Sequence, residues 1–263
     1  MSYDLCQIRR AEKPYFIESI RTNIFSAEEL CFYLYENVYL IDGSIVNEAL
    51  CDWIRDELGL GRLYRQLYEQ LNKPSGITQF ILLIFREVGW LGQEQMRQMQ
   101  EKLGSLEVQP EDTRAKLKAD YLVKCGMYSS AVQEYQKVLD RMGPGNLGAQ
   151  FYASVWNNLG CARARMFLFS DAADCFLKAW KLVHTKETMR RYVSVLPLFL
   201  SEEEYMDKLR DLGADSYLIL RIQKYNAGLA EEYADKFGGQ AAPEDISAIL
   251  EEMKEEYRRG AKC

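Results

Sequence analysis

Residues 156–182 read WNNLGCARARMFLFSDAADCFLKAWKL, and the order of large and small side chains in this stretch sets the reading of the whole chain. Counted from Ala153, Trp156, Leu159 and Gly160 stand at positions 4, 7 and 8, and Ala172, Phe176 and Ala179 at positions 20, 24 and 27. Around it the chain is rich in Ala, Leu, Glu, Lys and Arg, with only 6 Pro in 263 residues, a composition that favours helix. Apolar residues make up 48% and charged residues 27%, enough apolar content for a sizeable core and unlike a disordered chain.

That spacing resembles the tetratricopeptide repeat (TPR), a helix–turn–helix of about 34 residues whose small and large positions let two antiparallel helices nest. Two positions depart from the pattern: Arg163 where Tyr is usual, and His184 where Pro is frequent. A weaker match begins at Asp112, with Gly126, Tyr128, Ala131 and Tyr135 at positions 15, 17, 20 and 24. Ala119 falls at its position 8, while Ala115 replaces the large residue at position 4. The two units start 41 residues apart, seven more than the usual period, and the excess is placed near the turn-forming Met142–Asn146 as a lengthened helix or an inserted loop. From Glu187 a degenerate third unit follows, its first helix Arg190–Leu200 bent at Pro197 and its second opened by the capping box Ser201–Glu204. Asp215 or Ser216 then caps a long helix, Tyr217–Phe237, patterned by Leu218, Ile222, Tyr225, Leu229 and Tyr233 and stopped by Gly238–Gly239. Pro243 opens a last amphipathic helix, Glu244–Arg259. These elements read as caps that cover the open end of an array.

The N-terminal part follows no such period. Pro14–Ile20 has an extended character. Ser26-Ala-Glu-Glu29 is a capping box ahead of Leu30, Tyr33, Leu34, Val38 and Ile41, with Phe32, Tyr35 and Tyr39 off that stripe. After a turn at Asp42–Ser44, helices are expected over Asn47–Leu58, Leu63–Asn72, Ile77–Trp90 and Gln93–Leu106. Gly59–Gly61 ends the first of these, and Lys73–Gly76 closes the second. The near-continuous apolar run of Ile77–Trp90 marks it as central, and the Gln-rich Gln93–Leu106 as largely exposed. Pro110-Glu-Asp-Thr opens the helix after it. The expected fold is therefore all-α: an N-terminal helical bundle over 1–107, then over 108–263 the right-handed solenoid of antiparallel helix hairpins that the TPR resemblance implies, with C-terminal capping helices.

No catalytic constellation is legible: neither a P-loop, GxGxxG, GxSxG nor HExxH occurs. The single histidine, His184, reads as a residue at a helix C-terminus, and the acid groups 202–204 and 251–256 as helix starts and solvated faces. Seven scattered cysteines, 6, 31, 51, 125, 161, 175 and 263, lack a C-x-x-C pair and read as free thiols of a reducing compartment. Neither a metal site nor a cofactor is expected. The N-terminus lacks an apolar stretch of signal-peptide length and the most apolar run, Phe80–Phe85, is too short to span a bilayer, so the expectation is a cytoplasmic protein.

Charge is distributed unevenly. Residues 1–110 carry 11 basic and 16 acidic side chains (net −5), 111–198 carry 13 and 8 (net +5), and 199–263 carry 9 and 15 (net −6). The repeat region is thus a basic island in a chain of pI 5.2. Members of the resembled family line a concave groove with the first helix of each unit, and position 5 there holds Lys116, Asn157 and Arg191. In chaperone-binding members such a groove clamps an acidic peptide C-terminus; Asp120, where that clamp has Asn, departs from it. The resemblance implies a non-enzymatic scaffold that holds a protein or peptide partner, an acidic one if the groove is used. A structural subunit of a homo- or hetero-oligomer is the alternative, and an enzyme with a site between the two halves a remote one. Nucleic acid is disfavoured because +5 over this region is modest and both flanks would repel phosphate.

Overall fold

The computed structural model describes residues 9–71, 76–141, 147–212 and 216–237. The fold is all-α apart from one short hairpin. Strands β1 (Tyr15–Ile17) and β2 (Thr22–Ile24) pair antiparallel with Tyr15 opposite Ile24, where an extended segment was expected. Twelve α-helices follow among the described residues. The chain divides into two compact units, Met1–Val183 and His184–Cys263.

The first unit opens with α1 (Ala27–Glu36), α2 (Glu48–Asp56), α3 (Gly61–Leu71), α4 (Ile77–Val88) and α5 (Gln93–Glu107). Their apolar stripes meet in one cluster. Leu30 and Leu34, Leu50 and Ile54, Leu63 and Leu67 are buried there around Phe80, Ile81, Ile84 and Phe85 of α4. The apolar run of α4 thus fills the middle of the bundle, and α5 buries only Met99 and Leu103. Trp53 adds a long-range tie, its indole N–H donating to the carbonyl of Lys13 at 2.8 Å.

Two details of α1 differ from the expected pattern. Ser26 caps the helix by accepting from the Glu29 amide, but Glu29 accepts from the Phe25 amide (2.6 Å) rather than closing the box on Ser26. The helix also stops at Glu36, short of Val38 and Ile41. Asn37 explains the stop: its side-chain amide and its backbone N–H both donate to the Tyr33 carbonyl, so the chain leaves α-geometry into a 3₁₀ turn over Val38–Leu40.

Four further helices complete the unit: α6 (Glu111–Lys124), α7 (Tyr128–Asp140), α8 (Gly148–Arg165) and α9 (Phe169–Val183). Each packs on the next, α6 on α7, α7 on α8 and α8 on α9. Their shared core gathers Ala119, Leu122, Ala131, Tyr135, Val138, Val155 and Leu159, and it takes in Leu40 from the 3₁₀ turn of the bundle. Part of the excess between the two repeat-like stretches is a lengthened α8, which begins five residues before Ala153.

The second unit contains α10 (Lys186–Val195), α11 (Glu202–Asp211) and α12 (Ser216–Phe237). Here the expected helix over Arg190–Leu200 is corrected. It starts at Lys186, capped by Thr185, whose hydroxyl accepts from the Thr188 amide, and it ends before Pro197, which sits in a 3₁₀ turn over Leu196–Leu198. Pro197 terminates the α-helix instead of bending it, as a residue without an N–H and with a ring against the preceding turn must. The capping box Ser201–Glu204 forms as expected. The turn at 142–146, the loop residues Lys73–Ser75, the caps and stops at Asp215 and Gly238–Gly239, the helix over 244–259 with its Pro243, and Cys6 and Cys263 lie outside the described residues. No described helix is long and apolar enough to cross a membrane.

Burial separates the thiols. Cys31, Cys51 and Cys175 are buried and Cys125 is exposed. Burial pushes the Cys31 thiol up to about 12 and the Cys51 thiol to about 11, so neither supplies thiolate at neutral pH. Brief treatment of the native chain with iodoacetamide should modify Cys125 and leave Cys31, Cys51 and Cys175 intact until denaturant is added. Peptide mapping by mass spectrometry checks this.

Candidate interaction groove

The residues of the repeat-like stretches occupy the interfaces of α6 to α9. Ala172 and Ala179 of α9 are fully buried, and so are Ala131 of α7 and Leu159 of α8, to within 1%. Gly160 is a true close approach: a Cβ there would stand 2.7 Å from Cε1 and 2.9 Å from Cδ1 of Phe176, below any ordinary van der Waals contact. Trp156 is half-buried, with the Lys178 ammonium 4.3 Å above its ring. Gly126, between α6 and α7, is left-handed at φ +74°.

The turn between α8 and α9 makes the same bend with a different residue. Phe167 holds φ +62° at the position that Gly126 occupies in the preceding pair, and it is 79% exposed. Leu168 beside it is 44% exposed, and Phe167 touches Phe169 edge-on at 5.9 Å. A bulky residue in this region costs about 1–2 kcal/mol. Glycine would return roughly 0.5–1 kcal/mol of that through its freer unfolded chain. Phe167→Gly is therefore expected to stabilise the fold by about 0.5–1 kcal/mol, read as a rise in the denaturation midpoint. Aligning the two repeat-like units position by position would have exposed Phe167 in the sequence.

Along α6 and α8 the polar side chains form one connected chain. Lys116 Nζ donates to Asp120 Oδ2 at 2.6 Å, and Asp120 Oδ1 accepts from the Tyr135 hydroxyl at 2.5 Å and from Asn158 Nδ2 at 2.8 Å. Asn158 Oδ1 in turn accepts from Asn157 Nδ2 at 3.0 Å. Tyr135 is 1% exposed, so its hydroxyl must find a partner within the protein. Burial, and then the Asp120 carboxylate that accepts its proton, holds the Tyr135 phenol well above its ordinary value. Asp120, a departure from the clamp pattern, is thus the hub of the network. The sequence signal for it was a Tyr and an Asn whose polar atoms required a partner.

Asp120, Tyr135 and Asn158 of this network form the floor of a cavity of about 430 Å³, walled by Leu117, Tyr121, Lys124 and Cys161 and by Tyr39 from the 3₁₀ turn. A neighbouring hollow of about 380 Å³ also borders Tyr39 and is charged, lined by Asp42, Arg114, Lys118, Glu134, Lys137 and Arg141. Lys118 pairs there with Asp42 at 2.7 Å and with Glu134 at 3.3 Å. Burial opposes the Lys118 charge, but these two carboxylates overcome it and its pKa is raised. Asp42 is likewise lowered, its burial outweighed by bonds from Lys118 and Ser44.

Of the three expected groove residues, the structure brings Lys116 and Asn157 into this network. Arg191 belongs to the other unit, where it pairs with Glu187 at 3.1 Å. His184 is exposed, directly after α9, with φ +48°. Glu202 to Glu204 fill the first turn of α11, where the helix dipole favours them. Among the described residues no group of three or more His, Cys, Asp or Glu side chains is arranged to hold a metal. No protein-family model matches the chain, and no curated protein matches its sequence.

Proposed function

We propose that this chain is a non-enzymatic interaction scaffold that holds a protein or peptide partner against α6 and α8 of a TPR-like array. The observation that carries this reading is the cavity of about 430 Å³ whose polar floor is already locked by Lys116, Asp120, Tyr135 and Asn158. Side chains fixed before a partner arrives lose little entropy on binding. Because Asp120 engages Lys116 within the chain, recognition falls to Lys124 and the rings of Tyr39 and Tyr121, which line the cavity.

Affinity capture with the wild type and with Lys124→Glu, an exposed lining residue, tests it. A partner held only by the wild type, with the variant's circular-dichroism melt unchanged, supports the groove. The same partners on both baits would sink it.

A second reading, a subunit of an assembly, is favoured by the exposed Phe167–Leu168 tip. On that reading the chain stays oligomeric when diluted, and Phe167→Ser shifts sedimentation toward monomer.

A further inference from the structure

The cleft between α10 and α12 has a chemistry of its own. It encloses about 370 Å³ and is lined by Lys186, Glu187, Arg190, Arg221, Ile222 and Tyr225, among others. Among the described residues Glu187 is its single carboxylate, and it is doubly engaged. Arg190 donates to it from Nη2 at 2.9 Å and Nε at 3.2 Å, and Arg191 from Nε at 3.1 Å. The two guanidinium groups hold the Glu187 carboxyl below the usual range. Lys186 and Arg221 have no ion-pair partner among the described residues. Three cations, Lys186, Arg190 and Arg221, therefore line the cleft with Glu187, and Arg191 adds a fourth charge to that carboxylate from outside the lining.

The floor is apolar. Ile222 is 3% exposed at the base, while Tyr225 leaves 56% of its surface open on the wall. Tyr217 and Leu220, 71% and 67% exposed, continue the same face of α12 at helical spacing with Arg221 and Tyr225. One cation between two exposed rings on α12, with Lys186 lining the same cleft from α10, fits a segment that alternates carboxylates with apolar side chains. A phosphodiester backbone would bring its charges without filling the apolar part. A bare anion would leave Ile222 and Tyr225 uncovered.

We propose that this cleft binds an acidic peptide segment of a partner protein, its carboxylates on Lys186 and Arg221 and an apolar side chain against Ile222 and Tyr225. The site lies wholly in the second unit and does not require the groove on α6 and α8.

The test uses the full chain and a fluorescein-labelled peptide of glutamates flanking a phenylalanine, followed by anisotropy at low and raised salt. Wild type should bind, more weakly as salt rises. Lys186→Glu/Arg221→Glu should weaken binding by about tenfold or more, since two exposed charge pairs are reversed. Both side chains are exposed, so the variant should keep its wild-type melting temperature. Lys124→Glu, at an exposed lining residue of the α6–α8 cavity, serves as the control and should leave this affinity unchanged; a loss there would place the peptide in that groove and not in the cleft. Absence of binding to wild type at low salt, or equal affinity in the charge-reversed variant, would overturn the proposal. Equally effective displacement by inorganic phosphate or by a single-stranded oligonucleotide would replace it with a general anion site.

Discussion

Gly160→Val should lower the stability of the first unit by about 3 kcal/mol, the upper part of the range for overpacked cores. The reason is geometric. Already the first carbon of any side chain would lie 2.7 Å from the ring of Phe176, which is itself 5% exposed and enclosed by α8 and α9. A ring in open solvent would swing aside; one inside a helix interface must push its neighbours. Gly160→Ala meets the same ring but regains about 1 kcal/mol of helix propensity, so its net cost should be near 1 kcal/mol. Chemical denaturation of both variants gives the two values. The decisive comparison is the pair Gly160→Ala/Phe176→Leu. If contact with the ring is the cause, the smaller partner relieves the alanine penalty and the two substitutions are non-additive. Strict additivity would show that the glycine serves some other need.

Lys118→Met should cost about 2 kcal/mol and change how stability responds to pH. Lys118 and Glu134 are 15% and 13% exposed at the side chain, whereas Asp42 is 39% exposed. Removing one partner of a fully buried pair costs about 3–5 kcal/mol, but solvent reaches Asp42, and Lys137 still holds Glu134 at 2.9 Å, so the smaller figure applies. The signs follow from the two shifts. Asp42 is lowered, so its contribution is present above the ordinary carboxylate pKa of about 4 and fades as pH falls through its folded value. Lys118 is raised, so its contribution is complete below about 10.4 and fades as pH climbs through its folded value. Wild type and Lys118→Met should differ most across the neutral range and converge toward acid and strong alkali. A difference independent of pH would mean that packing of the lysine stem, and not its charge, carries the effect.

What the sequence made legible follows from how far each signal reaches along the chain. Helix periodicity and caps are local. The central apolar run of α4 and the Ser201–Glu204 box could therefore be read directly. The end of α1 could not, because the Asn37 side chain competes for the Tyr33 carbonyl within a run whose apolar spacing continues past it. The polar network was legible only in pieces. Asp120, Tyr135 and Asn158 come from three helices, separated by 15 and 38 residues from the shared carboxylate, and no periodicity joins them. Lys116 and Arg191 looked like groove cations because sequence shows charge but not the carboxylate already bonded to it, Asp120 in one case and Glu187 in the other.

The 3₁₀ turn after α1 bears on modularity. Helical hairpins that contact only their neighbours can be cut out, shuffled or studied singly. Here the hairpin formed by α6 and α7 is not such a cassette. Leu40 is embedded in its core, Tyr39 walls its cavity, and the Tyr121 hydroxyl donates to the Glu36 carbonyl and to Asn37 Oδ1. A fragment beginning at residue 108 would lack one wall of the groove and a plug of its core. A ligand of the groove would therefore be thermodynamically linked to the folding of the helices before it, and the affinity would be a property of the intact N-terminal 183 residues.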